Sequence, residues 1–257
     1  GTNTAVGYNA GAAITTGGSN TFVGANVGDS TTDGTSNTAI GVSALGGADA
    51  GDGNTAVGAN AGAACTGEYN IFMGVNAGDT TTTGNRNVII GTNCDAAAAG
   101  GNNSIVIGDT VAGVAADNFT FGNAGTDSNI AFGATSITAP SDSRLKEDVA
   151  TSTAGLSFIN DLRPVTYKWK KEKDIPTVLD AYVEGSETRL MNENTNHGFI
   201  AQEVKAAIDA HPELKDGFDM WMEKDSDGQQ RVAPSALVPM LVKAIQELTA
   251  RITTLEG

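Results

Sequence analysis

The chain has 257 residues, enough for one or two domains, and a formal net charge of −15 at pH 7. Such an acidic chain repels nucleic acid and anionic membrane, and neither half carries a basic patch, so nucleic-acid binding is not expected. No apolar run approaches the roughly 20 residues that span a bilayer, so no membrane insertion is expected either.

Composition divides the sequence in two. All six prolines and both tryptophans lie at or after Pro140, whereas 27 of the 33 glycines precede it. Residues 1–140 hold ten acids and one base, Arg86, while residues 141–257 hold 20 acids and 14 bases. The boundary is expected at 138–141, between a repetitive region (1–138) and an ordinary globular one (139–257). The chain opens in mid-pattern at Gly1, as expected of a fragment, so the lack of a signal peptide carries no weight.

The first region is an internal repeat. Asn3-Thr-Ala-Val-Gly7 recurs as Asn20-Thr-Phe-Val-Gly24, Asn37-Thr-Ala-Ile-Gly41, Asn54-Thr-Ala-Val-Gly58, Asn70-Ile-Phe-Met-Gly74 and Asn87-Val-Ile-Ile-Gly91. A longer variant, Asn103 to Gly108, and two shorter cycles, Asn118 to Gly122 and Asn129 to Gly133, follow. The closing glycines step by 17, 17, 17, 16, 17, 17, 14 and 11 residues. A second Asn-x-Gly motif rides in phase at Asn9, Asn26, Asn60 and Asn76. This predicts a β solenoid or β roll, each cycle giving one short apolar strand and a tight corner. Glycine supplies positive φ at corners, and asparagine tolerates the same region. Proline, which would remove a ladder hydrogen bond, is missing until Pro140.

The Gly-Gly-x-Gly-x-Asp nonapeptide of calcium-binding rolls is absent, and Asp29, Asp52, Asp79 and Asp109 are too scattered for ligand rows. Single acids, about one per coil, also argue against a glycan depolymerase site, which needs clustered carboxylates. Cys65 and Cys94 occupy different phases of the repeat and read as small buried residues with no disulfide between them. No metal or cofactor is expected. The repeat resembles the heads of trimeric YadA-like adhesins and repeats of phage tail proteins. That resemblance implies three chains side by side, with apolar residues filling both the coil interiors and a threefold interface.

The junction reads Pro140-Ser-Asp-Ser-Arg-Leu-Lys146. Serine and lysine can form a hydrolytic pair when the lysine is neutral, which requires burial or cationic neighbours; Arg144 is a candidate for the latter. A spacing of five fits either a loop that folds back or about one helical turn. Ser-Asp-x-Arg-Leu-Lys resembles the start of the intramolecular chaperone domain of phage endosialidases, tail spikes and neck appendages. Leu156 to Trp169, His197-Gly-Phe-Ile-Ala-Gln-Glu-Val204 and a long terminal helix over 235–256 follow in that family's order.

The resemblance implies an α+β domain that trimerises the chain and then cuts it, with Ser141 as nucleophile and Lys146 as its base. It places cleavage at Ser141–Asp142. Local ring geometry favours Pro140–Ser141 instead, because attack by the serine oxygen on the preceding carbonyl closes a five-membered ring. Both bonds stay open. His197 and Glu203 are candidates for supporting roles, although each also reads as a packed or paired residue. His211, before Pro212, reads as structural. Ile200, Val204 and Ile208 are expected to form a buried helical stripe, and Trp169 and Trp221 to lie in a core or an interface.

In the final helix, expected to be capped by Ser235, Val238, Leu241, Ile245, Leu248, Ile252 and Leu255 step by 3, 4, 3, 4 and 3. That is a heptad seam, with the first, third and fifth at a and the others at d. Isoleucine at a with leucine at d favours dimers in isolated coils, so the expected homotrimer rests on the resemblance and the repeat. The function expected is that of a phage-type tail fibre or spike C-terminus, assembled in the host cytoplasm, carried on the virion and facing a cell-surface receptor or glycan. The alternative is a non-cleaving trimeric adhesin with a permanent C-terminal cap.

Overall fold

The structure is a computed structural model and describes residues 1–214, 218–224 and 226–257. It divides into two compact units, Gly1–Glu147 and Asp148–Gly257.

The first unit is a β solenoid of about seven turns. Strands β1 (Thr4–Val6), β2 (Thr21–Val23), β3 (Thr38–Ile40), β4 (Thr55–Val57), β5 (Ile71–Met73), β6 (Val88–Thr92), β7 (Ile105–Asp109) and β8 (Asn118–Asn123) form one parallel sheet in chain order. The register sets each residue on its equivalent one coil away, as in Phe22 on Ala39 and Phe72 on Ile89. Alternation turns the second residue of each strand from β2 to β7 inward. Phe22, Ala39, Ala56, Phe72, Ile89 and Val106 are fully buried, joined by Val27, Leu45, Cys65 and Cys94. A fully buried Val, Leu, Ile or Phe side chain contributes roughly 1.5–3 kcal/mol, which a single coil could not collect alone. Both cysteines are free thiols, and burial pushes Cys65 up to about 11.

The two asparagines that most coils carry serve different ends. The one preceding the strand is buried from Asn20 onward and not at a left-handed corner. Its Oδ1 accepts from the backbone N–H of its counterpart in the next coil, in an unbroken run from Asn3 through Asn20, Asn37, Asn54, Asn70 and Asn87 to Ser104, at 2.8–2.9 Å. The second asparagine is the corner former: Asn9, Asn26, Asn60, Asn76 and Asn93 all have φ between 50° and 56°. The closing glycine is forced by stacking as well as by φ. At Gly58, φ is +138° and a Cβ would stand 2.3 Å from the carbonyl oxygen of Gly74.

The last short cycle is not a coil. β9 (Ser128–Ala131) turns back antiparallel to β8, pairing Phe119 with Ile130. An 11-residue step is too short to travel round the coil, so the chain closes a hairpin and ends the solenoid.

The outward strand residues make an apolar face. Val6, Val23, Ile40, Met73 and Ile107 are exposed in this sheet, as are Tyr8, Val42 and Val75 just beyond the closing glycines. From coil to coil the first strand position is Thr4, Thr21, Thr38 and Thr55, then changes to Ile71, Val88 and Ile105.

The second unit is α+β. It contains α1 (Leu156–Asp161), hairpin partners β10 (Val165–Tyr167) and β11 (Asn196–Gly198), α2 (Ala201–Ala210), a second antiparallel pair β12 (Trp221–Glu223) and β13 (Gln230–Val232), and α3 (Val238–Glu256). Its core is Phe158, Val204, Ala207, Ile208, Met220 and Leu237. The stripe on α2 therefore runs through Val204, Ala207 and Ile208, whereas Ile200 precedes the helix and is exposed. Trp221 packs beside this core with Lys205 over its ring, and Trp169 stands edge-on to Tyr167.

The terminal helix starts differently from the expectation. Pro234–Leu237 is a 3₁₀ turn that leads into α3, so Ser235 lies inside a turn and caps nothing. Pro239 sits in the first α turn, where its missing N–H costs no bond. No helix of the described residues is long and apolar enough to cross a membrane.

Candidate active site

The junction is built outward from the end of the solenoid. Asn129 and Thr138 exchange two backbone hydrogen bonds, 2.9 and 2.8 Å, which hold the strand leading to the junction against β9. Pro140 then fixes its own φ and, with Ala139, lines an open hollow of about 470 Å³ against the β8–β9 turn at Gly125–Ser128. Ser141 follows directly.

The next residues fold back in a single 3₁₀ turn, Ser143–Leu145, capped at its start by Asp142. The Asp142 carboxylate accepts from the Arg144 backbone N–H at 2.8 Å, from Arg144 Nε at 3.0 Å and from Arg144 Nη2 at 2.6 Å. The backbone closes through Leu145 N–H to Asp142 O and Lys146 N–H to Ser143 O. Beyond this turn Lys146 reaches back, and its Nζ donates to Ser141 Oγ at 2.7 Å. Of the two geometries compatible with a spacing of five, the chain adopts the folded-back turn.

That distance is within reach for proton transfer between a nucleophilic hydroxyl and its base. Both residues are exposed, as is every residue from 131 to 153. A lysine accepts a proton only in its neutral form, which loss of water favours. Arg144 is not directed at Lys146: its guanidinium is taken up by Asp142, and the pairing holds the Asp142 carboxyl below the usual range and raises Arg144.

Residues 141–212 match the family model Peptidase_S74, the chaperone of endosialidase. The match begins at Ser141 itself, takes in Lys146 and the His197–Val204 segment, and stops short of β12, β13 and α3. It agrees with the resemblance read from the sequence, supports a chaperone role of the tail-fibre type and ties the segment to a peptidase-related family. Neither the curated proteins nor the solved structures yield a match.

The other candidates in this family segment belong to the second unit. His197 lies on β11 opposite Thr166 and is exposed. It lines an open hollow of about 630 Å³ with Tyr167, Trp169, Met191 and Arg231. Glu203, in the first turn of α2, is held in a two-pronged pair with Arg163, whose Nε donates to Oε2 at 3.0 Å. Arg163 was not singled out by the sequence; its place between Leu162 and Pro164 gives no periodic signal. His211 is buried edge-on against Phe158 and bonded to Asp161 at 2.8 Å and Glu213 at 3.1 Å.

Proposed function

We propose that this chain is the C-terminal part of a phage-type tail fibre or spike, in which the second unit assembles three copies, sets the register of the solenoid and is then cut away beside Ser141. The observation that carries this reading is the Ser141–Lys146 hydrogen bond at the first residue of the chaperone-family match. Two unpartnered apolar surfaces support the assembly: the outward face of the solenoid sheet, and the α3 seam, where all six heptad residues from Val238 to Leu255 are exposed. Their exposure and their repeat along one face suit neighbouring copies of the same chain.

In the cleavage step, neutral Lys146 takes the Ser141 hydroxyl proton as Oγ attacks a carbonyl carbon. Attack within the chain on the Pro140 carbonyl moves the acyl group from nitrogen to oxygen, frees the Ser141 amine and leaves an ester. Water then opens the ester to a Pro140 carboxylate and restores the hydroxyl. Attack by a neighbouring protomer's serine on the Ser141 carbonyl instead expels the Asp142 amine, which takes the proton from Lys146, and leaves an ester between the two chains that water opens to a Ser141 carboxylate, restoring the neighbour's hydroxyl. The N-terminal residue of the released fragment, Ser141 or Asp142, tells the two apart. Packing of three chains around the exposed junction would strip water from Lys146, so cleavage follows assembly. The mature fibre would then serve on the virion, towards a host receptor or glycan.

The test is denaturing electrophoresis of freshly made protein. Wild type should give two fragments of similar size, and Ser141→Ala one band near 26.0 kDa. A normal cleavage pattern in Ser141→Ala would sink the assignment, and an uncut wild type would favour a permanent cap.

A further inference from the structure

No residue of the segment that carries Ser141 and Lys146 is buried, and only Leu145 faces the β8–β9 turn, across the open hollow. No residue of the Ser143–Leu145 turn is buried, and the whole stretch from 131 to 153 is exposed. A lone turn of three residues is not stable in water, because it fixes several dihedral angles for one or two hydrogen bonds. Yet the serine–lysine contact exists only if this turn is closed, since the turn is what reverses the chain between residues 141 and 146.

Two backbone hydrogen bonds close it, and one carboxylate and one guanidinium reinforce them. The Asp142 carboxylate accepts three hydrogen bonds, all from Arg144: Oδ1 caps the turn at the backbone N–H and also accepts from Nε, while Oδ2 accepts from Nη2. The fork-to-carboxylate geometry is specific, and it couples the cap to the side chain two residues on.

From this geometry we infer that Asp142 and Arg144 are positioning residues of the self-cleavage site, a clamp that holds the turn setting Lys146 against Ser141. The inference rests on the self-cleavage reading above. Neither side chain exchanges a proton with the reacting atoms; each acts by keeping the base in place. Arg144 therefore serves through Asp142, not as a cationic neighbour of Lys146.

The experiment compares cleavage rates of full-length Asp142→Ala, Asp142→Asn and Arg144→Ala, scored on the trimer fraction isolated by sedimentation. Asp142→Ala removes all three bonds and should slow cleavage about tenfold, the scale of a lost cap. Arg144→Ala leaves only the backbone cap and should slow it severalfold. Asp142→Asn keeps an Oδ1 that can accept two of the three bonds and should recover most of the rate. Either alanine variant cutting at the wild-type rate, or Asp142→Asn cutting no faster than Asp142→Ala, overturns the clamp. Failure of Asp142→Ala to trimerise overturns it as well, since the residue would then act in assembly. Ser141→Ala is run alongside: if it is cut normally, the self-cleavage reading fails, whereas wild-type rates in the clamp variants with an inert Ser141→Ala remove the clamp alone.

Discussion

Asn54 and Asn60 stand six residues apart in one coil and answer to different physics. Asn54 is fully buried; its Oδ1 takes the Asn70 N–H at 2.9 Å and its Nδ2 reaches Gly67 O at 2.9 Å. Asn54→Ala strands a buried donor and a buried acceptor, and should cost about 1–3 kcal/mol in chemical denaturation followed by far-ultraviolet circular dichroism. Asn60 is exposed at φ 56°, a conformation glycine adopts freely, so Asn60→Gly should stay within about 0.5 kcal/mol. The repeat marks both positions, but a period reports where a residue recurs and not which way its side chain points; the buried ladder was therefore not legible. His211 provides a pH test in the second unit. Asp161 foremost, and Glu213, raise its pKa against the opposing effect of burial. The raised value means the stabilisation is complete below the ordinary histidine value of about 6.5 and is lost as pH rises through the folded-state value. Both tryptophans lie in this unit, so the fluorescence-detected unfolding transition should weaken as pH rises above the ordinary histidine value of about 6.5. His211→Asn should flatten that slope, and an unchanged slope would refute the assignment.

Among elements, α3 presents two faces. One packs on its own unit: Ala244 is buried, Met240 joins the core, and Glu247 accepts from the Leu156 backbone N–H at 3.0 Å. The other is the heptad seam, with Ile245 62% exposed and Leu248 43% exposed. The two faces predict separable defects. Ile245→Asp should leave the tryptophan fluorescence of the second unit native while sedimentation shifts to the single chain. Ala244→Asp should instead abolish the native fluorescence, because it places a charge against α1. A trimer that survives Ile245→Asp would remove the seam from assembly. The seam could be read from the sequence because a heptad is a statement about one helix face. The start of the helix could not, since Pro234 and Ser235 suit a 3₁₀ turn as well as a cap. The same limit applies to β9: its Asn-x-x-x-Gly signature copies the coils, and only the 11-residue step distinguishes a hairpin return from another turn of the solenoid.

For the whole molecule, the repeat that makes the solenoid stable also makes its register ambiguous. β1 to β4 read Thr-Ala-Val, Thr-Phe-Val, Thr-Ala-Ile and Thr-Ala-Val, so three chains slipped by one coil would still set like on like across an interface. The outward first position becomes apolar only from Ile71 onward, in the coils that precede the junction by sequence. In the proposed assembly, alignment depends on that end of the solenoid and on a separate device that carries no repeat, which is the role proposed for the second unit. Removing that device after assembly should leave a shaft that cannot recover its register once lost, so its persistence becomes a matter of unfolding rate and not of equilibrium. Purified cut shaft and uncut Ser141→Ala trimer, each unfolded in guanidinium and diluted under the same conditions, should therefore part company. The uncut chain should return to a trimer with native circular dichroism, and the cut shaft should return as misaligned or aggregated material. Equal recovery of the two would show that the solenoid finds its own register and that the second unit is not what sets it.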